Sequence, residues 1–458
     1  MGGGIGGLLA ARVLADYFDR VTVLEQDQVS ADTEYRSGIP QARHPHGLLA
    51  RGARILEELF PGIRTELAEM GAPVFDYGEL TLVMLPTGWA PRRAIGQSVQ
   101  TCTRVALERC IRRRVMALPG VTIRGGFRVE DLCWNAARSR VTGVCGRPRK
   151  ASPTSPGPAE TIEADLVIDA SGRTSKLPHW LSEAGFSPPV ERVVDGNLSY
   201  TSRLYDSPPD INPDWTLTGE VTYAPAVRRG GGIAIVESGH WIVCLIGAGG
   251  EPTPTDEAGF LDYARSLHNP HIASSITDAT PAGALYRFVK LANRWTPYHQ
   301  MRRWPDRLLC LGDAVCILNP VQGQGMTVAA IQATILSDLL DRRDRTANLT
   351  GLGRQFQRRA ARSLRLPWLM AASADLAWNP THAGLSARLA HWYFDQLLQL
   401  LPTDPDTYRR VMLTGQMINN PLTLLHPRVL ARLARHRGRR IVVSGSPLGP
   451  DSAADAPR

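Results

Sequence analysis

The chain opens with "MGGGIGGLLAARVLADYFDRVTVLEQD", in which Gly2, Gly4 and Gly7 stand in G-x-G-x-x-G spacing. Few short sequences restrict a fold more tightly. Gly2 and Gly4 allow a tight turn and a close backbone approach to a pyrophosphate, and Gly7 lets a helix lie close on a sheet. The helix from Leu8 aims its N-terminal amides at that pyrophosphate, where its dipole favours negative charge. A β-branched strand, "VTVL", follows and ends at Glu25, 18 residues beyond Gly7. A carboxylate there accepts hydrogen bonds from ribose hydroxyls, which favours FAD or NAD over the 2′-phosphorylated NADP. The motif ordinarily follows a strand, and here only Met1 precedes it. A strand ahead of Gly2 would be central in a parallel sheet. The expectation is that the functional polypeptide begins several residues upstream of Met1, which the intact mass of protein from the native organism would check.

A second constellation lies far along the chain, in "RLLCLGDAVCILNPVQGQGMTVAAIQATIL". A buried strand ends at Gly312-Asp313, and a loop with Pro320, Gly323 and Gly325 leads into an apolar helix. Asp313, at a strand end, is placed to bind a polyol hydroxyl. The amides near Gly323, Gly325 and Met326 form a helix N-terminus that suits a flavin pyrimidine edge, which becomes anionic on reduction. Between the two constellations, "GIPQARHPHG" brings Arg43, His44 and His46 just ahead of a helix. These three are candidates for contact with flavin, nicotinamide or substrate. Capping or packing roles for the histidines stand beside that reading.

On these residues the chain resembles the flavoprotein monooxygenases of the para-hydroxybenzoate hydroxylase type, over roughly Gly2 to Gln332. Gly2, Gly4, Gly7 and Glu25 fit the family's first fingerprint, and Gly312, Asp313 and Pro320 fit its third. Arg104, in "TRVALERCIRRRV", fits the arginine that reaches the FAD ribose or pyrophosphate in that family. The middle fingerprint departs. In "DLVIDASGRTSKLPHWL", Ser171 stands where most aromatic hydroxylases have the aspartate of Asp-Gly. That texture is more similar to a subgroup that includes bacterial polyether epoxidases. It puts in doubt the nicotinamide-handling role of the missing aspartate and leaves FAD binding intact.

The resemblance implies bound FAD, transient NADH or NADPH, dioxygen, and a small apolar substrate. One oxygen atom would enter a polyene or polycyclic natural-product intermediate by epoxidation or hydroxylation. In such chemistry the cofactor reacts while the protein orients substrate and excludes water. Two readings compete: a flavin-dependent reductase of prenyl-like double bonds, which shares the "DASG" texture, and an inactive flavin-fold scaffold. A flavin halogenase of the type carrying W-x-W-x-I-P is disfavoured, since that stretch is lacking.

The organisation that follows is α/β: a Rossmann-like FAD-binding domain with a parallel sheet, interrupted by an antiparallel-sheet substrate domain and finished by C-terminal helices. The FAD-binding domain is read as 1–79, 101–190 and 305–345. Substrate-domain strands fall in 80–100 and 191–304, where short alternating segments such as "LSYTSRLY" and "HWIVCLIG" suggest one covered face. A helical region covers 346–443, and 444–458 reads as a disordered tail. The loop from Arg147 to Ala159 reads as a mobile hairpin tip. Trp215, Trp241, Trp295, Trp368, Trp378 and Trp392 are possible pocket walls, although each fits a core role better.

The net charge of +9 is carried almost wholly by arginine, with lysine only at positions 150, 176 and 290. Such a skew follows from a GC-rich genome and does not point to a nucleic-acid partner. The run "RHRGRR" from Arg435 has no interleaved aromatics; it reads as a solvated helix end, with contact to an anionic surface as the alternative. Seven cysteines without C-x-x-C spacing fit free thiols in a reducing cytoplasm, and no metal site is expected. No stretch is apolar enough to span a bilayer.

Overall fold

The computed structural model describes residues 1–149, 157–208, 211–289, 291–343, 349–379 and 384–436. The expected disordered tail and most of the expected hairpin tip lie outside the described residues.

The glycine turn feeds the helix Ile5–Leu14, which is apolar on nearly every side. Such a helix must be covered all round, and Leu8 and Leu9 are fully buried. The helices Arg104–Met116 and Gly325–Asp341 pack against it, joined by Leu352–Leu376. Ile111, Val115, Leu336 and Phe356 close this core with no exposed surface. At roughly 1.5–3 kcal/mol for each fully buried large apolar side chain, this layer fixes the glycine loop from behind.

The parallel strands form two separate pairs. Val21–Leu24 pairs with Val121–Arg124, and Val167–Asp169 pairs with Leu308–Cys310. Met1 and Gly2 bridge them. Met1 N donates to the Ile168 carbonyl at 2.8 Å, the Met1 carbonyl accepts from Ala170 N at 2.9 Å, and Gly2 N donates to the Leu24 carbonyl at 2.7 Å. Beyond Met1, the edges of Val21–Leu24 and Val167–Asp169 flank a cavity of about 660 Å³, bounded behind by Ala10, Leu14 and Leu340.

The second domain is a large mixed sheet. Ser199–Asp206, His240–Gly247, Arg229–Ile235 and Leu217–Glu220 run antiparallel in that spatial order. Thr81–Leu85 joins parallel to Leu217–Glu220. The sheet is antiparallel apart from this strand, which enters after a long excursion of the chain, so no hairpin dictates its direction. Helices Glu257–Arg265 and Pro270–Thr277 cover one face, over a core that includes Trp215, Trp241 and Phe260. The other face carries Tyr200, Ser202 and Phe288 toward the glycine-loop domain. The helices Leu385–Leu400, Pro405–Gly415 and Pro427–His436 complete the described chain.

Candidate cofactor site

The glycine loop is built by contacts that admit no side chain. Gly2 has φ +92°, and a Cβ there would meet the Ala170 carbonyl oxygen at 2.3 Å. At Gly7 a Cβ would lie 1.9 Å from the Gly2 oxygen. Gly4 differs, because its nearest neighbour would be the Ile39 side chain at 3.7 Å, and it precedes the first turn of Ile5–Leu14. Gly2 and Gly7 therefore shape the turn, while Gly4 keeps its outer side clear.

Glu25 ends its strand as expected, yet its carboxylate is already engaged. Oε2 accepts from Gly3 N at 2.7 Å, and Oε1 accepts from Asp27 N at 3.0 Å. Arg36 Nη1 lies 2.9 Å from Oε2 and the same guanidinium pairs with Glu108. Glu108 also faces Arg104 at 3.6 Å and Arg112 at 3.8 Å, and Arg112 Nη1 donates to the carbonyls of Ser30 and Thr33. Arg36, Arg112, Glu25 and Glu108 are all buried. The result is a closed ionic cluster that ties the loop after Glu25 to the helix Arg104–Met116. Sequence reading missed Arg36, Glu108 and Arg112. The spacing Arg104, Glu108, Arg112 puts all three on one helix face and carried a signal for two of them.

Asp313 sits, exposed, in a short turn after Leu308–Cys310. The protein mass around it pushes its pKa above the ordinary carboxylate value, while Arg104 and Arg173 pull it back. Pro320 opens the turn Pro320–Gln322, Gly323 adopts φ +62°, and the helix starts at Gly325 ahead of Met326. Gly323 lies against Gly47, a Cβ on either meeting the other's Cα at 3.2 Å, and this joins the histidine loop to the helix start. A Cβ on Gly312 or Gly325 would touch nothing within 4 Å.

The histidine loop splits into three fates. His44 is buried, with Nδ1 2.8 Å from Ser202 Oγ and its ring against Tyr200 and Phe288. His46 Nδ1 donates to the His44 carbonyl at 2.9 Å, which leaves Nε2 as an acceptor. Burial lowers the pKa of His44 to about 4 and of His46 to about 3, with Arg104 adding to the second shift. Both rings are therefore neutral at physiological pH. The Arg43 guanidinium lies 4.2 Å from the ring centroids of both Tyr35 and Tyr286, clamping the loop to the sheet domain.

The "DASG" turn is organised from inside. Fully buried Asp169 accepts from Ser171 N at 3.0 Å, Ser171 Oγ at 2.5 Å and Ser175 Oγ at 2.5 Å. Ser171 is thus committed to the turn itself. Of the six tryptophans, Trp215 and Trp241 pack together in the far core and Trp295 packs on Trp368. Trp378 joins Tyr200 and Phe288 on the site-facing cluster, and Trp392 is exposed.

One further acid had no counterpart in the sequence reading. Asp375 ends the helix Leu352–Leu376 and accepts from Asn293 Nδ2 at 2.6 Å and Asn319 Nδ2 at 2.8 Å. Asn319 N in turn donates to Asn293 Oδ1 at 2.7 Å. This knot holds the residue just before Pro320. Burial raises the Asp375 pKa to about 7, against the Asn319 hydrogen bond. A raised native value means that the folded chain holds a proton the unfolded chain has released between pH 3.8 and about 7. The associated stability is present below that window and lost as pH rises through it. Denaturant titrations should show wild type losing up to about 4 kcal/mol relative to Asp375→Asn across that window. Parallel pH profiles for the two proteins would refute the assignment.

A family model described as "FAD binding domain" matches residues 1–363. The chain belongs to that FAD-binding family. It is 32% identical over 425 residues to Protein Rv3254 of Mycobacterium tuberculosis, covering 88% of this chain and 86% of that one. Among solved structures it is similar to a flavoprotein/dehydrogenase from Cytophaga hutchinsonii, with TM-score 0.65, 15% identity, and coverage of 95% and 97%. The flavin-dependent brominase Bmp2 gives TM-score 0.64 at 14% identity, covering 95% and 96%. PqsL of Pseudomonas aeruginosa, named "a probable FAD-dependent monooxygenase", gives 0.54 at 17%, covering 91% and 98%. At these identities the structural likeness is one of fold, and that fold is the α/β flavoprotein arrangement with C-terminal helices.

The residues present fit FAD on local grounds. The glycine loop leaves a cradle at Gly4, and open space lies at Gly312 and Gly325. Buried polar atoms without a hydrogen-bond partner include Arg104 Nε and Gln324 Oε1, one beside each half of the site. Among the described residues no helix is long and apolar enough to cross a membrane, and no group of His, Cys, Asp and Glu could hold a metal ion.

Proposed function

We propose that the chain is an FAD-dependent monooxygenase that places one oxygen atom on an electron-rich double bond or ring of an apolar substrate, using NADH or NADPH. Gly4 and the amides of the first helix would hold the pyrophosphate, with Glu25 and Arg104 at the ribose side. Asp313 would take a ribityl hydroxyl. Pro320, Gly323, Gly325 and Met326 would meet the isoalloxazine. Bound FAD would supply electron transfer from the nicotinamide and activation of dioxygen.

The observation that carries the substrate class is the sheet face opposite the flavin loops. It carries half-buried Phe288 and Trp378 over a buried layer of Tyr200 and neutral His44, whose Nδ1 meets Ser202. Such an apolar, aromatic layer suits a polyene or a polycyclic ring system better than a small polar ring. His46, with Nε2 free to accept, would orient a hydroxyl at the flavin edge. A natural-product intermediate of that character fits best.

The test supplies labelled dioxygen to holoenzyme, NAD(P)H and a panel of polyenes, polycyclic aromatics and small phenols. One labelled atom is expected in a large apolar substrate, with small phenols mainly uncoupling the reaction to hydrogen peroxide. Coupled hydroxylation of a small phenol alone would overturn the substrate class. Saturation of a double bond without label would favour a reductase, and halide incorporation would favour a halogenase. A protein that binds no flavin would be a scaffold.

A further inference from the structure

The C-terminal helices expose apolar side chains in a pattern that the rest of the surface lacks. In Leu385–Leu400, Leu385, Leu389 and Trp392 recur at i, i+4 and i+7, on one face. They are 73%, 55% and 52% exposed, while Leu397, Leu398 and Leu401 bury the opposite side. The neighbouring turn Pro421–Leu425, tied to this helix by Tyr393 Oη donating to the Leu424 carbonyl at 2.7 Å, exposes Leu422 and Leu425. Exposed apolar groups on adjacent elements mark an interaction surface.

Charge selects the partner. Residues 384–440 hold nine arginines against three aspartates, so this stretch accounts for six of the chain's nine net positive charges. Arg388, Arg428 and Arg435 are exposed among the apolar groups, whereas Arg432 pairs with Asp404 and Asp406. A symmetric pair of copies would set this basic patch against itself, so like charges would meet across the interface. An anionic bilayer meets both needs, taking leucine and tryptophan into the headgroup boundary while arginine remains with the phosphates. Tryptophan favours that depth. None of the described helices can span a membrane, so the mode is attachment at the surface.

We propose that the face formed by Leu385, Leu389, Trp392, Leu422 and Leu425, with Arg388, Arg428 and Arg435, docks the protein on an anionic lipid surface. This docking is independent of the flavin chemistry. Flotation of the flavin-loaded protein with phosphatidylcholine vesicles, with and without phosphatidylglycerol, tests it. The protein is expected to float with the anionic vesicles and to release at high salt. Combined Leu385→Asp, Leu389→Asp and Trp392→Asp should weaken binding at least about tenfold, with flavin content and melting unchanged. Arg428→Glu with Arg435→Glu, which leaves the apolar face intact, should weaken binding on the order of tenfold or more. Failure of wild type to float would overturn the proposal, as would undiminished flotation of either variant. A dimer in light scattering that the triple aspartate variant splits into monomers would instead assign the face to a second copy.

Discussion

Gly7→Ala is expected to lose flavin and to unfold at a markedly lower temperature than wild type. Its added Cβ would sit 1.9 Å from the Gly2 carbonyl oxygen, a backbone atom held by the sheet. Overpacking against a group that cannot move costs about 1–3 kcal/mol or more, and relief requires shifting the turn that cradles the pyrophosphate. Two companions separate causes. Gly6→Ala meets only the Leu311 Cδ1 end of a side chain at 3.1 Å and should be mild. Gly4→Ala has room within the protein, so it should melt close to the wild-type apoprotein and yet bind FAD at least about tenfold more weakly, because its methyl faces the ligand side. Thermal melts with and without added FAD, together with flavin titration, read all three. Unchanged flavin binding and melting in Gly7→Ala would contradict the geometry.

Glu108→Ala is expected to destabilise the fold by about 3–5 kcal/mol, because it strands Arg36 and Arg112 in the interior with Glu25 as their nearest remaining carboxylate. Both guanidiniums are nearly inaccessible, so water cannot replace the lost partner. A fall in melting temperature of roughly 3–5 °C follows for a chain of 458 residues. Flavin binding should weaken as well, since the loop from Ser30 to Gly38 is held through Arg112 and Asp27. The control is Glu34→Ala, which removes an exposed pair with Arg109 and should cost no more than about 1 kcal/mol. Equal melting temperatures for the two variants would show that the buried cluster carries no special weight.

Much of this architecture was legible from the sequence where the signal was local. The glycine spacing, the strand ending at Glu25, the strand before Asp313 and the helix start at Gly325 appear where the residues put them. Each depends on backbone conformation or on periodicity within a few residues. Elsewhere, partners distant in sequence decided the outcome. Thr81–Leu85 pairs parallel in an otherwise antiparallel sheet, since a strand added from a distant part of the chain has no hairpin to set its direction. Trp215 and Trp241 pack beneath the covering helices, the core role that fitted each better than a pocket wall. Arg43 stacks between two tyrosines, and His44 meets a serine across the domain boundary.

The sequence by itself determined the class of fold and the two loops that would hold a dinucleotide, because glycine, a strand-end acid and an apolar helix each act on their own neighbours. Tertiary structure alone decided what those groups share. It brought His44 to Ser202 across 158 residues, and Asp375 to Asn293 and Asn319 across 82 and 56. It placed Arg36 between Glu25 and Glu108, so that the expected ribose acid became part of a buried ionic cluster. The physical reason is that burial and low dielectric make such contacts strong only once separate segments have docked, and no spacing along the chain records which segments will meet.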